Sequence, residues 1–484
     1  MLEPDEWKRS RPVLRGERGR KPSNLLGGEL IFRFVYEMTG CKKPFSRLWI
    51  SSMEDSAVRE GLAQLKPGSD YDCLYQSALC RTKADWLIGI NATRLFSVLY
   101  RRTLTVGRVQ TPTLKMLVDR EMAISAFKKE KYYVVHIKSN GMEAVGERIN
   151  DPAEAEKLKT ACQGMQAVCT AVMRTKKTEP PPKLYDLTTL QREANRLFGF
   201  TAKATLDCAQ ALYEKRLLTY PRTDSRFLSN DMEQTASNVV AGIVSILPFM
   251  ENISFTPDIR LVLNSSKVSD HHAVIPTAEF VKRGFTDVSD EEKKLLSLVC
   301  SRLLCAVAGT HIYEAVSASF TCAGGKFTAK GKEIITSGWK EINRNFQIPL
   351  KTDADESAED AQELPELSEG QTFDSVDTFV TEHFTSPPKH YTEDTILSAM
   401  ERAGAEDMPD DAERKGLGTP ATRAAILEKL VHMGFVQRRG KQMIPTQDGI
   451  NLISILPEML TSPSLTAQWE NCLTEIAKGA ADPE

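Results

Sequence analysis

The sequence predicts a multidomain protein that is mainly α-helical and carries a β arch, formed by two β segments on either side of a helical block. The chain has 484 residues, enough for two to four domains with buried cores. Helix-like and strand-like patterns alternate along it in the order α, β, α, β, α. The β segments, 130–180 and 311–385, fit one sheet, so we expect the block between them to be inserted into the sheet domain.

The individual elements follow from local patterns. GGELIFRFVYEMTG (27–40) predicts a helix ending at Gly40, and SRLWISSM (46–53) predicts a short buried strand. The pattern is then helical to about 124, with breaks at 66–72 and 100–107. Strands are expected within 130–180 and again within 311–385. Helices fill 186–310 and return from 391 to the end, where one hairpin interrupts them.

Composition and charge restrict the function classes. No apolar run is long enough to span a bilayer, and the N-terminal residues lack the apolar core of a secretory signal. The ten cysteines form no Cys-x-x-Cys pair, which argues against a zinc ribbon and fits a reducing cytoplasm. The net charge of −3 argues against a uniformly basic nucleic-acid-binding protein.

Charge is distributed unevenly along the chain. Residues 81–121 hold eight Lys or Arg against three Asp or Glu, whereas residues 353–370 hold eight acids and no base. A basic stretch can attract a polyanion locally because salt screens distant charges. The alternative interpretation is that these residues are solvated helix faces.

The stretch LLTYPRTDS (217–225), here called the tyrosine corner, is the leading candidate for chemistry. A helix capped by Thr201 leads into it, and Pro221 forces Tyr220 into an extended conformation beyond the helix end. Residues i and i+2 of an extended segment share a side, so Tyr220 and Arg222 face one space. A phenol can attack a phosphodiester that an arginine holds. The alternative is a tyrosine closing a small core beside a surface arginine.

Two further stretches support the chemical interpretation. SDHHAVIPT (269–277) places paired histidines in a polar turn, where one could bind phosphate or transfer a proton while the other is structural. GLGTPATRAAILEKLVHMGFVQRRGKQMIPTQDG (416–449) predicts a helix followed by a basic hairpin, the pattern of a winged helix that binds nucleic acid. Residues 201–228 show the same succession of a helix and a short strand, so two such modules are expected.

Taken together, these stretches resemble the type IA DNA topoisomerases, most closely the topoisomerase III branch. The resemblance runs from Gly28 to Ala477. It rests on motifs in family order: GELIFRFVYEMTG, LYQSALCRTKADWLIGINATRLFS, LTVGRVQTPTL, LQREANRLFGF, LLTYPRTDS, DHHAVIPT, GLGTPATRAAILEKLVHMGFV and LTAQWENCLTEIAKG.

The resemblance implies a mechanism and an architecture. Tyr220 matches the nucleophile that forms a 5′-phosphotyrosine with one DNA strand, Arg222 matches the residue that holds the scissile phosphate, and His271 matches the active-site histidine. Strand passage and resealing need no ATP. The implied fold is the type IA toroid, with winged-helix-like modules and a remnant of the α/β Toprim domain. Opening of its gate is a hinge motion of the β arch.

The resemblance also implies DNA contacts along a single-strand groove. Phosphate contacts there would position a strand without reading much sequence. Thr422 stands at the start of a helix, a natural phosphate site, with Arg423 beside it. The residues expected to contact DNA are Arg81, Asn91, Arg94, Arg108, Gln110, Thr422 and Arg423.

One departure from the family concerns the metal site. The family holds Mg²⁺ with an early glutamate and an Asp-x-Asp-x-Glu cluster, but Ser23, Leu25 and Gly27 occupy those cluster positions here. Glu29 is a lone remnant, and one carboxylate is not a magnesium site. We therefore expect residues 1–27 to be unrelated to the family, and the chain alone to bind single-stranded DNA while cleaving and resealing it poorly.

Two alternatives to a topoisomerase stay open at this point. One is a catalytically inactive single-stranded-DNA-binding protein. The other is a tyrosine recombinase, which the mid-chain position of Tyr220 disfavours.

We expect a monomer in the cytoplasm, associated with the nucleoid, that binds single-stranded or negatively supercoiled DNA, uses neither ATP nor zinc, and does not bind membranes. The expected domains are 1–27 (unordered), 28–66 (Toprim remnant), 67–128 (first DNA-binding helices), 129–185 and 311–385 (β arch), 186–310 (tyrosine domain) and 386–484 (winged-helix-like domain).

Overall fold

A computed structural model describes residues 25–48, 55–268, 271–350, 364–404 and 416–483. Most of the expected unordered segment at 1–27 and most of the acidic stretch at 353–370 lie outside these ranges. Residues 25–27 are the exception, because the first helix begins at Leu25, so the expectation of an unordered chain is wrong there.

The first described elements confirm one prediction and correct another. Helix α1 (Leu25–Met38) is followed by Gly40 in the left-handed conformation, at a φ of 62°, as a helix end requires. The predicted buried strand at 46–53 is reduced in its described part to β1 (Ser46–Arg47), which pairs only with β2 (Lys66–Pro67). The Pro67 nitrogen cannot donate a hydrogen bond, so this pairing stays short. Three helices follow: α2 (Asp55–Ala63), α3 (Asp72–Leu99) and α4 (Gln110–Ser125).

Both β segments join in one antiparallel sheet, as the alternating pattern predicts. Its seven strands lie in the order β8-β5-β6-β7-β4-β3-β9. A sheet of this size is a larger β component than the description "mainly α" conveys. Two helices, α5 (Pro152–Cys162) and α11 (Trp339–Gln347), also lie within segments predicted as strands. The strands are β3 (Lys131–Ser139), β4 (Met142–Ile149), β5 (Ala167–Glu179), β6 (His311–Cys322), β7 (Gly325–Thr336), β8 (Thr372–Phe373) and β9 (Asp377–Phe384).

The chain leaves the sheet after β5, builds a helical block, and returns to the sheet at β6. The long β5–β6 pairing, from Glu179↔His311 to Ala167↔Cys322, brings the two connections to the block together. One buried core unites the block and also takes in Ile342 and Phe346 of α11. The helices of the block are α6 (Leu187–Phe198), α7 (Ala202–Glu214), α8 (Glu233–Val244), α9 (Ala278–Arg283) and α10 (Asp290–Ala306).

The C-terminal helices share a core with α4. Leu114 and Leu117 of α4 pack in the same buried cluster as Leu427 and Leu430. The described part of this region is helical with one hairpin, as predicted. Its elements are α12 (Glu393–Arg402), α13 (Pro420–His432), β10 (Val436–Arg439), β11 (Gln442–Pro445), α14 (Gln447–Ile455), α15 (Glu458–Thr461) and α16 (Ser464–Ala477).

Candidate active site and nucleic-acid interface

Helix α7 immediately precedes the tyrosine corner and positions it. The Thr201 side chain accepts a hydrogen bond from the Ala204 nitrogen at 3.0 Å, which confirms the predicted N-cap. One face of α7 is buried through Leu206, Ala209 and Leu212. The corner is therefore attached to the core of the helical block, which fixes the direction in which the chain leaves the helix.

The corner is held by the segment that carries the histidines. The Thr219 nitrogen donates to the Ile275 oxygen at 3.0 Å, and the Thr219 hydroxyl donates to the Ala273 oxygen at 3.2 Å. Beyond Tyr220 burial alternates: Pro221 and Thr223 are buried, whereas Arg222 is exposed and Tyr220 is half-buried. This alternation agrees with the prediction that positions 220 and 222 share one side of the segment.

The Tyr220 ring contacts two other rings. Its centroid is 4.3 Å from that of the His271 imidazole and 5.3 Å from that of Tyr213, which meets it edge to face. The Thr223 hydroxyl donates to the His271 backbone oxygen at 2.7 Å, which ties the histidine to the corner. The structure thus brings Tyr220 and His271 together, although 51 positions separate them in the sequence.

His272, the second histidine of the pair, has a local contact. Its Nδ1 lies 2.9 Å from the Ala273 oxygen, within hydrogen-bond distance of the next residue's backbone. The sequence left open which histidine is structural; His272 has this backbone contact, whereas the His271 ring packs against Tyr220.

Arg222 leaves its charge available. Its side chain is exposed, and no carboxylate lies within salt-bridge distance of it in the described part of the chain. The next arginine of the corner region differs, because Arg226 Nε lies 2.9 Å from the Asp186 carboxylate. An exposed guanidinium with no anionic partner can bind a phosphate without first breaking an ion pair.

Two of the expected DNA contacts lie inside the protein instead. Arg81 and Arg108 are 6% and 8% exposed, and both contact the buried Glu470 carboxylate of α16, at Oε1. Arg108 also lies 2.8 Å from Asp85 and packs over the Trp469 ring. We call Arg81, Arg108, Asp85 and Glu470 the buried arginine cluster. Its guanidinium charges are neutralised by carboxylates of α3 and α16.

The remaining expected contacts on α3 and α4 divide by exposure. Gln110 is buried, and its Nε2 donates to the Thr105 oxygen at 3.3 Å. Asn91 and Arg94 are exposed on α3, and Arg94 has no carboxylate partner among the described residues. Only the exposed pair is accessible to a strand without rearrangement.

Thr422 and Arg423 differ in the same way on the first turn of α13. Thr422 is exposed, and its hydroxyl accepts a hydrogen bond from the Thr419 nitrogen at 2.9 Å. Arg423 is buried and donates to the Leu417 oxygen and to the Thr188 hydroxyl, both at 3.1 Å. Burial lowers the pKa of the Arg423 guanidinium. Through Thr188, Arg423 connects α13 to α6 beside the tyrosine corner.

The described residues do not fit a magnesium site. Glu29 is 1% exposed, and its two oxygens lie 2.8 Å from Arg33 Nε and 2.6 Å from Arg47 Nη2. A carboxylate already neutralised by two guanidinium groups offers little charge to a cation. Within the described ranges, no three His, Cys, Asp or Glu side chains are grouped as metal ligands. We therefore derive no step through a metal.

Comparisons with known proteins identify the family of this chain. A family model described as DNA topoisomerase matches residues 69–484. DNA topoisomerase 3 of Bacillus subtilis is 39% identical over 473 residues, which cover 93% of this chain and 64% of that protein. DNA topoisomerase 3 of Bacillus cereus is 37% identical over 478 residues, with 94% and 65% covered.

A solved structure supports the fold. The full-length topoisomerase I from Thermotoga maritima superposes with a TM-score of 0.73 at 22% identity, covering 99% of this chain and 76% of that chain.

A tyrosine that packs against an imidazole, two residues before an exposed arginine, is the arrangement of a candidate phosphodiester-cleaving site. The chain belongs to the DNA topoisomerase family, and its similarity to the DNA topoisomerase 3 proteins confirms the resemblance to the topoisomerase III branch of type IA. The chain spans about two thirds of the length of these relatives, 64–65%. No helix among the described residues has the length and hydropathy needed to cross a membrane.

Sequence reasoning missed several residues that organise the site. Tyr213, the next-to-last residue of α7, was not among the predicted site residues, although its ring packs against that of Tyr220. Glu470 lies in one of the motifs of the resemblance, but its pairing with Arg81 gave no local signal because the two residues are 389 positions apart. Contacts of this kind depend on packing between distant segments.

Proposed function

We propose that this chain breaks and rejoins one strand of DNA through a phosphotyrosine on Tyr220. The observation that carries the proposal is the packing of the Tyr220 ring against His271, two residues before the exposed Arg222. The half-buried ring is held by its neighbours, while the exposed Arg222 side chain has no carboxylate partner among the described residues and can receive a phosphate.

The reaction balances without an external energy source. The Tyr220 hydroxyl oxygen forms a bond to phosphorus, and the bond from phosphorus to the 3′ oxygen breaks. The phenolic proton leaves, and the departing 3′ oxygen gains a proton. Attack by that 3′ hydroxyl on the phosphotyrosine reverses both bonds, so the phosphodiester energy is retained and no ATP is required.

The residues have separate roles in this proposal. Arg222 holds the non-bridging oxygens of the scissile phosphate and stabilises the charge that develops on them. His271, whose ring faces the phenol, donates to the phosphate or carries the proton. Thr422, Asn91 and Arg94 are exposed, and we propose that they position the strand through its phosphates. Arg81, Arg108, Gln110 and Arg423 can contact a strand only if their internal contacts open.

The partners follow from the same chemistry. We propose single-stranded or negatively supercoiled DNA as substrate, bound by a monomer in the cytoplasm at the nucleoid. The family resemblance further implies Mg²⁺ for resealing, but the described residues give no place to hold it. Winged-helix-like modules at 201–228 and 416–449 are part of this proposal, supported by the helix α13 followed by the β10–β11 hairpin.

The experiment uses end-labelled oligonucleotides and the purified chain. Cleavage by Tyr220 transfers the label of a 3′-labelled single strand to the protein, and leaves the label of a 5′-labelled strand in free DNA. Denaturation with detergent traps the adduct, and Tyr220→Phe is the control that must abolish it. Relaxation of negatively supercoiled plasmid with magnesium measures the complete cycle.

A second candidate function is single-strand binding without chemistry. The observation that favours it is the occupied Glu29 carboxylate, together with Ser23, Leu25 and Gly27 at the family's acidic positions. Binding of the oligonucleotide with no adduct on either label would support this candidate and contradict the first. An adduct without plasmid relaxation would show cleavage without the full cycle.

A further inference from the structure

We infer that Lys183, Phe227 and Lys267 form a binding site for a backbone phosphate of the same DNA strand, a few nucleotides from the phosphate that Tyr220 attacks. This inference rests on the proposed function and names a part of the substrate site that the family motifs quoted above do not include. We call these three residues the two-lysine site.

The site has an aromatic ring at its centre. The Phe227 ring is half-buried, and the ammonium groups of Lys183 and Lys267 lie 5.3 Å and 5.1 Å from its centroid. Both lysines are exposed. Two like charges on one ring repel each other, and the attraction of the ring for each ammonium offsets only part of that repulsion.

No carboxylate neutralises this pair within the described part of the chain. Neither lysine has an acidic partner there, and the neighbouring Asp186 is already paired with Arg226. A second pair of lysines that shares one aromatic ring differs, because one of its members has an acidic partner. Lys129 and Lys131 share the Phe384 ring at 4.0 Å and 5.9 Å, but Lys131 lies 2.8 Å from Glu382.

The two-lysine site is built into the tyrosine corner. The Phe227 oxygen accepts a hydrogen bond from the Ala273 nitrogen at 2.9 Å, two residues beyond His271. The Ser225 hydroxyl donates to the Lys267 oxygen at 3.0 Å. Phe227 follows Arg222 by five residues, so a strand lying on Arg222 and Tyr220 can reach the lysines within a few nucleotides.

Lys183 also links phosphate binding to a connection between the sheet and the helical block. It lies between β5 and α6, on one of the two connections between the sheet and the helical block, and its oxygen accepts from Arg302 at 3.2 Å. A phosphate shared by Lys183 and Lys267 would join this connection to the segment before His271. Strand binding would therefore act on a connection that has to move when the arch opens.

The ligand chemistry that fits is a phosphodiester of a single strand. Two exposed ammonium groups around one ring suit a group with delocalised negative charge, and the lysines are point charges that read no base sequence. Phe227 spaces the ammonium groups and can also stack with a base when a lysine moves aside.

The test measures how salt weakens oligonucleotide binding. Fluorescence anisotropy of a labelled single strand gives Kd over a range of salt concentrations for the full chain and for Lys183→Gln/Lys267→Gln. Loss of one or two phosphate contacts lowers the slope of log Kd against log salt by about 0.7–1.4 and weakens binding roughly 5- to 20-fold. The matched control, Lys129→Gln/Lys131→Gln, removes the same charge from the Phe384 ring.

The result that overturns the inference is equal slopes for the two double variants, or no binding of the single strand by the full chain. Lys183→Arg/Lys267→Arg keeps both charges and is expected to retain the slope. Adduct formation, measured separately with Tyr220→Phe as control, distinguishes the two proposals. If Lys183→Gln/Lys267→Gln lowers the slope of log Kd against log salt but the full chain forms no adduct, the two-lysine site is supported and the strand-breaking function is rejected. If the adduct forms but the slope is unchanged, the strand-breaking function is supported and the two-lysine site is rejected.

Discussion

Arg222 in the tyrosine corner and Arg81 in α3 are both arginines in stretches that the sequence associates with DNA, but only Arg222 leaves its charge available. Arg222 is exposed without a carboxylate partner among the described residues, whereas Arg81 is 6% exposed and contacts Glu470. The basic stretch at 81–121 contains more positive charge, but part of that charge is neutralised by α16. A count of charges along the sequence therefore overstates what a phosphate can reach.

The difference reflects what each arginine does when DNA is absent. A buried guanidinium must be paired, because an isolated buried charge is very costly. An exposed guanidinium is solvated and can stay without a partner until a phosphate arrives. We therefore expect the buried arginine cluster to contribute mainly to stability, and Arg222 mainly to the reaction.

The largest expected effect comes from Glu470→Ala. Removing this carboxylate takes a buried ion-pair partner from both Arg81 and Arg108, so we expect the free energy of unfolding to fall by about 3–5 kcal/mol. Chemical denaturation measures it. The matched control is Glu475→Ala on the same helix, since Glu475 is exposed and paired with Lys478, and its effect should stay within about 0.5 kcal/mol. Equal stability of the two variants would contradict a structural role for the cluster.

The next effect is that of Arg222→Gln on the reaction. Loss of one positioned donor to the phosphate is expected to slow adduct formation roughly 100- to 1,000-fold. Because Arg222 is exposed, the thermal midpoint should not change measurably. The adduct rate with 3′-labelled oligonucleotide and a thermal unfolding curve test both statements. If Arg222→Gln unfolds at a lower temperature but forms the adduct at the normal rate, Arg222 contributes to stability and not to the reaction, which contradicts the account.

A smaller effect is expected for Tyr213, which holds the Tyr220 ring by an edge-to-face contact. An aromatic pair is worth about 0.5–1.5 kcal/mol, so Tyr213→Leu should slow adduct formation roughly 2- to 10-fold, while Tyr213→Phe keeps the ring and the rate. Oligonucleotide Kd should be the same for both. A slow Phe variant would show that the Tyr213 hydroxyl, and not its ring, matters.

The smallest effect concerns acid stability at the base of the corner. Lys215 lies 2.7 Å from Glu292. Burial alone would raise the pKa of Glu292, but the hydrogen bonds from Lys215 and Ser289 lower it by more, so the pKa lies below its ordinary value. The native pKa is depressed, so this pair contributes stability above the unfolded pKa and loses it as the pH falls through the native pKa.

Lys215→Met tests that contribution. Without the ammonium group, burial dominates, and the Glu292 pKa moves upward. We expect the acid unfolding midpoint to shift to higher pH, with a loss of about 1 kcal/mol or less at neutral pH. Unfolding followed by circular dichroism between pH 3 and 7 measures the shift. An unchanged midpoint would show that the pair does not support the corner.

Much of the fold could be predicted because the signals are local. The Thr201 cap, the break at Pro221 and the β10–β11 hairpin each depend on a few neighbouring residues. The union of the two β segments followed from the order of the elements. Helices α5 and α11 were missed because each is short and flanked by strands, so strand-like patterns dominated both regions.

The site could be predicted only in part. Tyr220 and Arg222 are neighbours, and an extended segment places them on one side. The proximity of His271 was expected from the family resemblance, and local spacing could not show it. The neutralisation of Arg81 and Arg108 depends on α16, more than 350 positions away, and no local pattern reports a partner at that distance.

The most direct test of the account is to locate the covalent bond. The trapped adduct of the full chain with a single-stranded oligonucleotide is digested with nuclease and protease, and mass spectrometry identifies the residue that carries the nucleotide. The account predicts a nucleotide linked through its 5′ phosphate to Tyr220 and to no other residue. A nucleotide on Tyr213 or on a histidine, or an unmodified Tyr220 in a preparation that relaxes plasmid, would contradict it.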